Sequence, residues 1–338
     1  MRAQSESRIA VIGAGAFGTA LAIVAARNGS AVTLWARDLE HAATLAAKRC
    51  NPVHLPQCQL PQTVTPTADL TACAAADLVL IAVPAQATRS VARQLAPVLN
   101  RGAYIVACAK GIERKTGALQ SDILTEELPH RPLTILSGPG FAGEIAAGKP
   151  TAVTLAGFAG ETADYVCKRL AAPGFRPYSS MDVRGVELGG AMKNVVAIAC
   201  GIVIGKALGE SARAALLTRG LAEMARLAAT LGARQETLFG LSGLGDLVLT
   251  AMSEQSRNTR FGIALGRSGD IAAVQTSGMP LAEGVHTAPV AASLAGKHKV
   301  DMPITDAVAD ILASAISVDE AIDTLVRRPL RSEHRDGR

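Results

Sequence analysis

The chain has 338 residues, 49% of them apolar but only 3% aromatic, so its interior must be built mainly from Ala, Leu, Val and Gly. That length allows two domains, each with its own core. The net charge of +5 argues little for a nucleic-acid partner: five Arg against one Asp and one Glu in the last twelve residues supply most of it, without an aromatic-interleaved basic patch.

The first apolar run, Arg8-Ile9-Ala10-Val11-Ile12, reads as a strand that leads straight from a short polar N-terminus, which predicts no signal peptide. It ends in Gly13-Ala14-Gly15-Ala16-Phe17-Gly18, and a helix follows through Ala26. In that setting Gly13 permits a tight turn, Gly15 lets backbone approach a pyrophosphate, and Gly18 lets helix pack on strand. The helix N-terminus offers unpaired N–H groups to phosphate. Asn28-Gly29 stops the helix, and Ala31–Ala36 predicts the second strand. There Arg37 precedes Asp38; a guanidinium at this point favours a 2′-phosphate and hence NADP over strict NAD, and the competing reading is a solvated arginine at a strand end.

Further strands are predicted at 78–83, 104–109, 133–136, 152–155 and 175–178, with a helix at 161–171. The alternation predicts a sheet of parallel strands covered on both faces, with ligands at the C-terminal strand ends, where Lys110, Gly138 and Gly140 fall. After Asp182 helical periodicity takes over: helices are predicted over 185–204, 212–231, 260–266, 285–295 and 305–313. The fold class is therefore α/β, an N-terminal Rossmann-type, mostly parallel sheet domain (1–182) followed by an all-α domain (183–330) and a basic tail (331–338), with a cleft between the domains. The longest apolar helix stretch, 195–204, is too short to cross a bilayer. Cysteines at 50, 58, 73, 108, 167 and 200 form no metal-ligand spacing or disulfide framework, so the expected compartment is a reducing cytoplasm and no metal is expected.

Lys193 lies in Glu187-Leu-Gly-Gly-Ala-Met-Lys-Asn194 ahead of an apolar helix. Gly189 and Gly190, four and three residues before it, share its helix face and cost roughly 1 kcal/mol each against alanine, which implies a close approach to that backbone. A lysine among Met, Val and Ile loses hydration, and its pKa falls towards the range of a general base; the alternative is an ammonium that snorkels to water. Asp246, between Gly245 and Leu-Val-Leu, is the candidate counter-ion of Lys193, a helix N-cap, or both. Ser256-Arg257-Asn258 reads equally as an anion-recognition cluster or as a solvated loop. His54 and His286 fall into no catalytic or metal grouping.

Together Gly13-Ala-Gly-Ala-Phe-Gly18, Lys110-Gly111, Ser137-Gly-Pro-Gly-Phe141, Leu188-Gly-Gly-Ala-Met-Lys-Asn194, Gly243-Leu-Gly-Asp246-Leu-Val-Leu-Thr250, Ser256-Arg-Asn258 and Glu283-Gly284 resemble, in order, the NAD(P)-dependent glycerol-3-phosphate dehydrogenases of bacterial type. The resemblance implies reversible reduction of dihydroxyacetone phosphate to sn-glycerol 3-phosphate for phospholipid synthesis, with NADP(H) or NAD(H). It implies that Lys193 exchanges the proton of the C2 hydroxyl, assisted by Asp246. Substrate would meet Lys110, Gly138, Gly140, Lys193, Asp246, Ser256, Arg257 and Asn258. The cofactor would meet Gly13, Gly15, Ala16, Phe17, Gly18, Arg37, Lys110, Ala142, Arg257, Leu281 and Glu283. Gly140, Ala16, Ile204 and Ser211 depart from the family pattern, so the contact at Gly140 can come only from backbone. The implied partner is the small substrate, without nucleic acid or membrane span, and a homodimer is compatible with the chain. Rival readings are a reductase of non-phosphorylated hydroxy acids and an NADPH-binding sensor without turnover.

Overall fold

The computed structural model describes residues 8–276, 278–280 and 282–329. Its strands are β1 (Arg8–Ile12), β2 (Ala31–Trp35), β3 (Cys50–Asn51), β4 (Leu55–Gln59), β5 (Val64–Thr67), β6 (Leu78–Ile81), β7 (Tyr104–Ala107), β8 (Leu133–Ser137), β9 (Thr151–Gly157) and β10 (Phe175–Ser180). Eight of them form one sheet in the order β10-β9-β8-β7-β6-β1-β2-β5, while β3 and β4 make a separate hairpin. Neighbouring strands are parallel except β8 and β9, which run antiparallel. Between those two strands lies a connection with a single five-residue helix, too short for the usual crossover that keeps strands parallel.

Intervening helices are α1 (Ala16–Arg27), α2 (Leu39–Lys48), α3 (Thr88–Leu95), α4 (Gln120–Glu127), α5 (Ala142–Ala146) and α6 (Gly160–Leu170). They cover both faces. On β1, Ile9 and Val11 join the core beneath α1, with Leu21 and Val24, whereas Ala10 and Ile12 join the one beneath α3, with Val91 and Leu95. A strand buried on both faces cannot alternate polar with apolar, which is why β1 and β6 read as continuous apolar runs. The strand order reverses at β1, and the glycine turn leaves its C-terminal end, where ligands of such sheets collect. Gly13 holds φ +115°, and a Cβ there would come within 2.8 Å of the Ala82 carbonyl oxygen. Only glycine fits that turn.

The second half is helical: α7 (Val183–Gly205), α8 (Glu210–Thr230), α9 (Gln235–Leu238), α10 (Asp246–Ala251), α11 (Arg257–Ser268), α12 (Ile271–Thr276), α13 (Glu283–Lys297), α14 (Pro303–Leu312) and α15 (Val318–Val326). α7 has 23 residues and, against the shorter stretch expected from sequence, is long and apolar enough to cross a membrane. It is instead the core helix of this half, buried from Val183 to Val203 apart from Arg184. A helix apolar on every side needs neighbours on every side, and α8, α10, α11 and α13 provide them. Gly201 and Gly205 of α7 meet Gly262 and Gly266 of α11, so the two helices touch backbone to backbone.

Asp182 caps α7, accepting the Gly185 N–H at 2.9 Å, and Glu187 anchors the helix to the sheet half by accepting the Ser121 N–H (2.7 Å) and hydroxyl (2.6 Å). Burial pushes the Glu187 carboxyl up to about 7, against the hydrogen bonds from Ser121 and the charge of Arg184, with Asp122 adding to the rise. The folded chain therefore keeps that proton between pH 4.5 and about 7, where the unfolded chain has released it, and stability from this group is lost as pH rises through about 7. Urea unfolding at pH 5 and pH 8 checks this: Glu187→Gln is expected to gain stability relative to the native chain between the two. An identical pH response of both proteins would disprove it.

Candidate active site

α7 carries Lys193 inward. The residue is only 7% exposed, and its Nζ donates to Asp246 Oδ1 at 2.5 Å and to Thr250 Oγ1 at 2.8 Å. Asp246 opens α10 and Thr250 follows one turn later, so both face the amine. From the C-terminal end of β7 comes Lys110, whose Nζ donates to Asp246 Oδ2 (2.8 Å) and to the Gly138 carbonyl (2.9 Å). One carboxylate thus lies between two ammonium groups supplied by the two halves of the molecule. The snorkelling alternative for Lys193 is overturned, because its amine turns inward to Asp246 and Thr250. The N-cap alternative for Asp246 also falls: Gly245 occupies the N-cap, and Asp246 is the first helical residue, its carboxylate turned to the lysines.

The paired glycines do mark a close approach. A Cβ on Gly189 would lie 2.7 Å from the Ser242 carbonyl oxygen, and one on Gly190 2.5 Å from Ser137 Oγ. What approaches is the protein's own β8 end and the π-helical turn Leu241–Gly245, which deliver Gly138 and Asp246. The Lys193 amine has its pKa lowered to about 8: burial dominates, the Asp246 charge opposes it, and the Lys110 charge adds to the fall. Two cations on one anion leave a positive charge in excess, suited to an anionic substrate or a developing alkoxide.

A second chain of hydrogen bonds crosses the site. Asn194 Nδ2 donates to the Lys110 carbonyl (3.3 Å), Asn258 Nδ2 donates to Asn194 Oδ1 (2.9 Å), and the Gly284 N–H donates to Asn258 Oδ1 (2.9 Å). The loop reading of residues 256–258 gives way to a helix start: Ser256 is the N-cap of α11, its Oγ accepting the Thr259 N–H at 3.2 Å, and Arg257 and Asn258 form the first turn. Of these three side chains only the exposed Arg257 is free of such a structural bond among the described residues.

Around the glycine turn, Gly15 is the N-cap of α1 and a Cβ there would meet nothing within 4 Å, so this backbone can be approached. Ala16, Phe17 and Gly18 begin α1, and the Lys110 ammonium lies 5.7 Å from the Phe17 ring centroid, joining the turn to the charged trio. Arg37 is exposed beyond β2, and Asp38 is used as the cap of α2, accepting the His41 N–H at 2.7 Å. Ala142 opens α5 beside α1. Glu283 opens α13; its Oε2 is buried without a hydrogen-bond partner, and burial raises its pKa while Arg257 opposes the rise. Leu281 lies outside the described residues, as does the tail 331–338. Gly138 holds φ +142°, and a Cβ on Gly140 would press on the Ile145 side-chain tip, 2.8 Å from its Cδ1.

Several participants escape the sequence reading. Thr250 bonds Lys193, and only its position four residues after Asp246 hints at this. His41 Nε2 (3.3 Å) and Asn51 Nδ2 (2.8 Å) both contact the Ala14 carbonyl of the turn. His54 stacks edge-on with His41 at 5.8 Å, its pKa lowered by partial burial and then by His41 and Arg257; His286 contacts Arg114 at 3.3 Å.

The chain is similar to known proteins along nearly its whole length. Family models described as the N-terminus and C-terminus of NAD-dependent glycerol-3-phosphate dehydrogenase match residues 8–163 and 182–323. A glycerol-3-phosphate dehydrogenase [NAD(P)+] of Bradyrhizobium diazoefficiens is 52% identical over 325 residues, covering 96% of this chain and 98% of that protein. The crystal structure of glycerol-3-phosphate dehydrogenase from Coxiella burnetii superposes with a TM-score of 0.91 at 40% identity, covering 96% of this chain and 99% of that one. The enzyme from Saccharomyces cerevisiae superposes with a TM-score of 0.81 at 26% identity, covering 95% and 99%. Matched by both family models and by relatives along nearly its whole length, the chain belongs to the NAD-dependent glycerol-3-phosphate dehydrogenase family.

Proposed function

We propose that this protein interconverts dihydroxyacetone phosphate and sn-glycerol 3-phosphate with NADP(H) or NAD(H), supplying the backbone of phospholipids. The observation that carries the reading is Lys193, buried and lowered to about 8, sharing Asp246 with Lys110 at the C-terminal edge of the sheet. The residues fit a nicotinamide dinucleotide: the open backbone at Gly15 and the N-terminus of α1 suit its pyrophosphate, and the unpartnered Glu283 Oε2 suits a polar donor. Gly13, Gly15, Ala16, Phe17, Gly18, Arg37, Lys110, Ala142, Arg257 and Glu283 would hold it. When bound, that cofactor supplies the hydride exchanged with substrate C2.

Lys193 handles the accompanying proton, donating it to the C2 oxygen in reduction and removing it in oxidation. Asp246 orients the amine and balances its charge. Lys110, tied to the same carboxylate, offers positive charge to the substrate oxygens. Arg257 and the first turn of α11 suit the phosphate, whereas the side chains of Ser256 and Asn258 shape that turn. Gly138 and Gly140 keep the opposite wall close, and substrate contact there comes from backbone. We read residues 1–182 as the cofactor half and 183–330 as the catalytic half. With Asp38 engaged by α2, Arg37 is the residue that favours NADPH. Six unpaired cysteines suit the cytoplasm.

Purified protein is expected to oxidise NADPH with dihydroxyacetone phosphate and to leave it untouched with non-phosphorylated keto acids. The opposite preference would reassign the substrate. Because the amine must be protonated for reduction and neutral for oxidation, turnover should fall above about pH 8 in the first direction and rise through about pH 8 in the second. Parallel pH profiles in both directions would remove Lys193 from this role.

A further inference from the structure

We propose that Gln86 and Gln120 are positioning residues for Lys110, holding by their carboxamides the irregular loop that aims its ammonium; the inference rests on the placing of Lys110 in the active site. The loop leaves β7 at Cys108 and reaches α4 near Leu119 without joining a helix or the sheet. Its backbone polar groups therefore lack a ladder, and each must find another partner. Glu113, Gly117 and Ala118 bond to one another within the loop, and side-chain amides supply partners nearer its start. The Lys110 carbonyl accepts from Asn194 Nδ2 at 3.3 Å, the Gly111 carbonyl from Gln120 Nε2 at 3.0 Å, and the Ile112 carbonyl from Gln86 Nε2 at 2.8 Å. Gln86 closes a second bond on the same loop, its Oε1 accepting the Arg114 N–H at 3.0 Å. Three successive carbonyls are thus fixed by three different helical segments.

The two glutamines are held in turn. Gln120 is 2% exposed, and its Oε1 accepts the Thr88 hydroxyl at 2.6 Å, so the orientation that points Nε2 at Gly111 is determined. Gln86 spans two backbone groups much as a neighbouring strand would. Beyond them Glu113 clamps the far end of the loop, binding Arg89 at 2.9 Å and accepting the Thr116 hydroxyl at 2.5 Å. A carboxamide suits this task because it donates and accepts without adding charge beside Lys110, Asp246 and Lys193. The backbone also packs closely here: a Cβ on Gly111 would lie 2.9 Å from the Ala85 side chain. A loop displaced by about 1 Å would pull Lys110 Nζ from both Gly138 and Asp246, a misplacement that can cost roughly 100-fold in rate.

The test measures kcat, KM for dihydroxyacetone phosphate, NADPH affinity by fluorescence and melting temperature in Gln86→Leu, Gln120→Glu and Lys110→Met. Q86L, at a half-buried position, is expected to stay folded at the assay temperature with a modestly lowered melting temperature, to keep its NADPH affinity and to lose at least about tenfold in kcat/KM. Q120E keeps the acceptor for Thr88 and loses the donor to Gly111; its activity relative to the native enzyme should recover as pH falls and its carboxyl regains a proton to donate. If Q120E does not fold, Q86L alone decides. Values of kcat/KM within twofold of native in Q86L, or a Q120E defect indifferent to pH, would overturn the inference while K110M is inactive. An active K110M would instead overturn the placing of Lys110 in the site.

Discussion

Lys193→Met is expected to bind NADPH as the native protein does and to lose at least about 100-fold in turnover with dihydroxyacetone phosphate, the usual scale of a general acid–base. Methionine matches the volume and the apolar surroundings, so the helix should pack unchanged. Asp246 keeps Lys110 as its partner at 2.8 Å, so the substitution leaves no buried charge unpaired. The loss would therefore report on the proton and not on the fold. Fluorescence titration of NADPH and steady-state turnover make the separation, and turnover within tenfold of native would end the assignment of Lys193 as proton carrier.

Asp246→Asn has the larger structural consequence. Two ammonium groups then share a buried neutral amide, and breaking a buried ion pair from one side typically costs about 3–5 kcal/mol. Urea unfolding at pH 7 should show a loss of that order. Removing the negative charge also withdraws the one large influence that favours protonated Lys193, so its pKa should drop below about 8. The fall of reductive turnover should then begin at lower pH than in the native enzyme, together with a marked loss of kcat. A native-like melting profile with an unmoved pH response would show that Asp246 is not the counter-ion of this site.

The two substitutions also separate kinds of information in the chain. The glycine turn after β1 is legible because its demands are local: a positive φ at Gly13, open backbone at Gly15 and a helix start three residues later are written in adjacent residues. The same holds for the long helices, whose stops and apolar spacing lie within their own spans. The β3–β4 hairpin, β5 and the helices α2, α3, α4, α5, α9, α12 and α15 are not legible, being short or exposed on one side, and neither is the antiparallel turn of β8 against β9. Pairing direction depends on a connection's path, not on the strands' own residues.

Pairing of Lys193 with Asp246 follows from cost: a buried ammonium and a buried carboxylate each need a partner. Burial cost relates two groups 53 residues apart without fixing how many partners each takes. Lys110, 136 residues from Asp246, and Thr250 carry no such signal, because nothing in their neighbourhoods demands that contact. Ser256, Arg257 and Asn258 are equivalent in the sequence, although the fold commits Ser256 to capping α11 and Asn258 to bridging Asn194 and Gly284.

Order, type and apolar faces of most elements, the phosphate-binding turn and the chemical kind of the key side chains follow from residues close together in the chain, since backbone torsion and helical periodicity are short-range. Which side chains share one carboxylate, how far an amine is withdrawn from water and which polar groups are already occupied follow only from the packed molecule. Burial and hydrogen-bond competition are properties of the whole set of neighbours, and those neighbours come from distant parts of the chain.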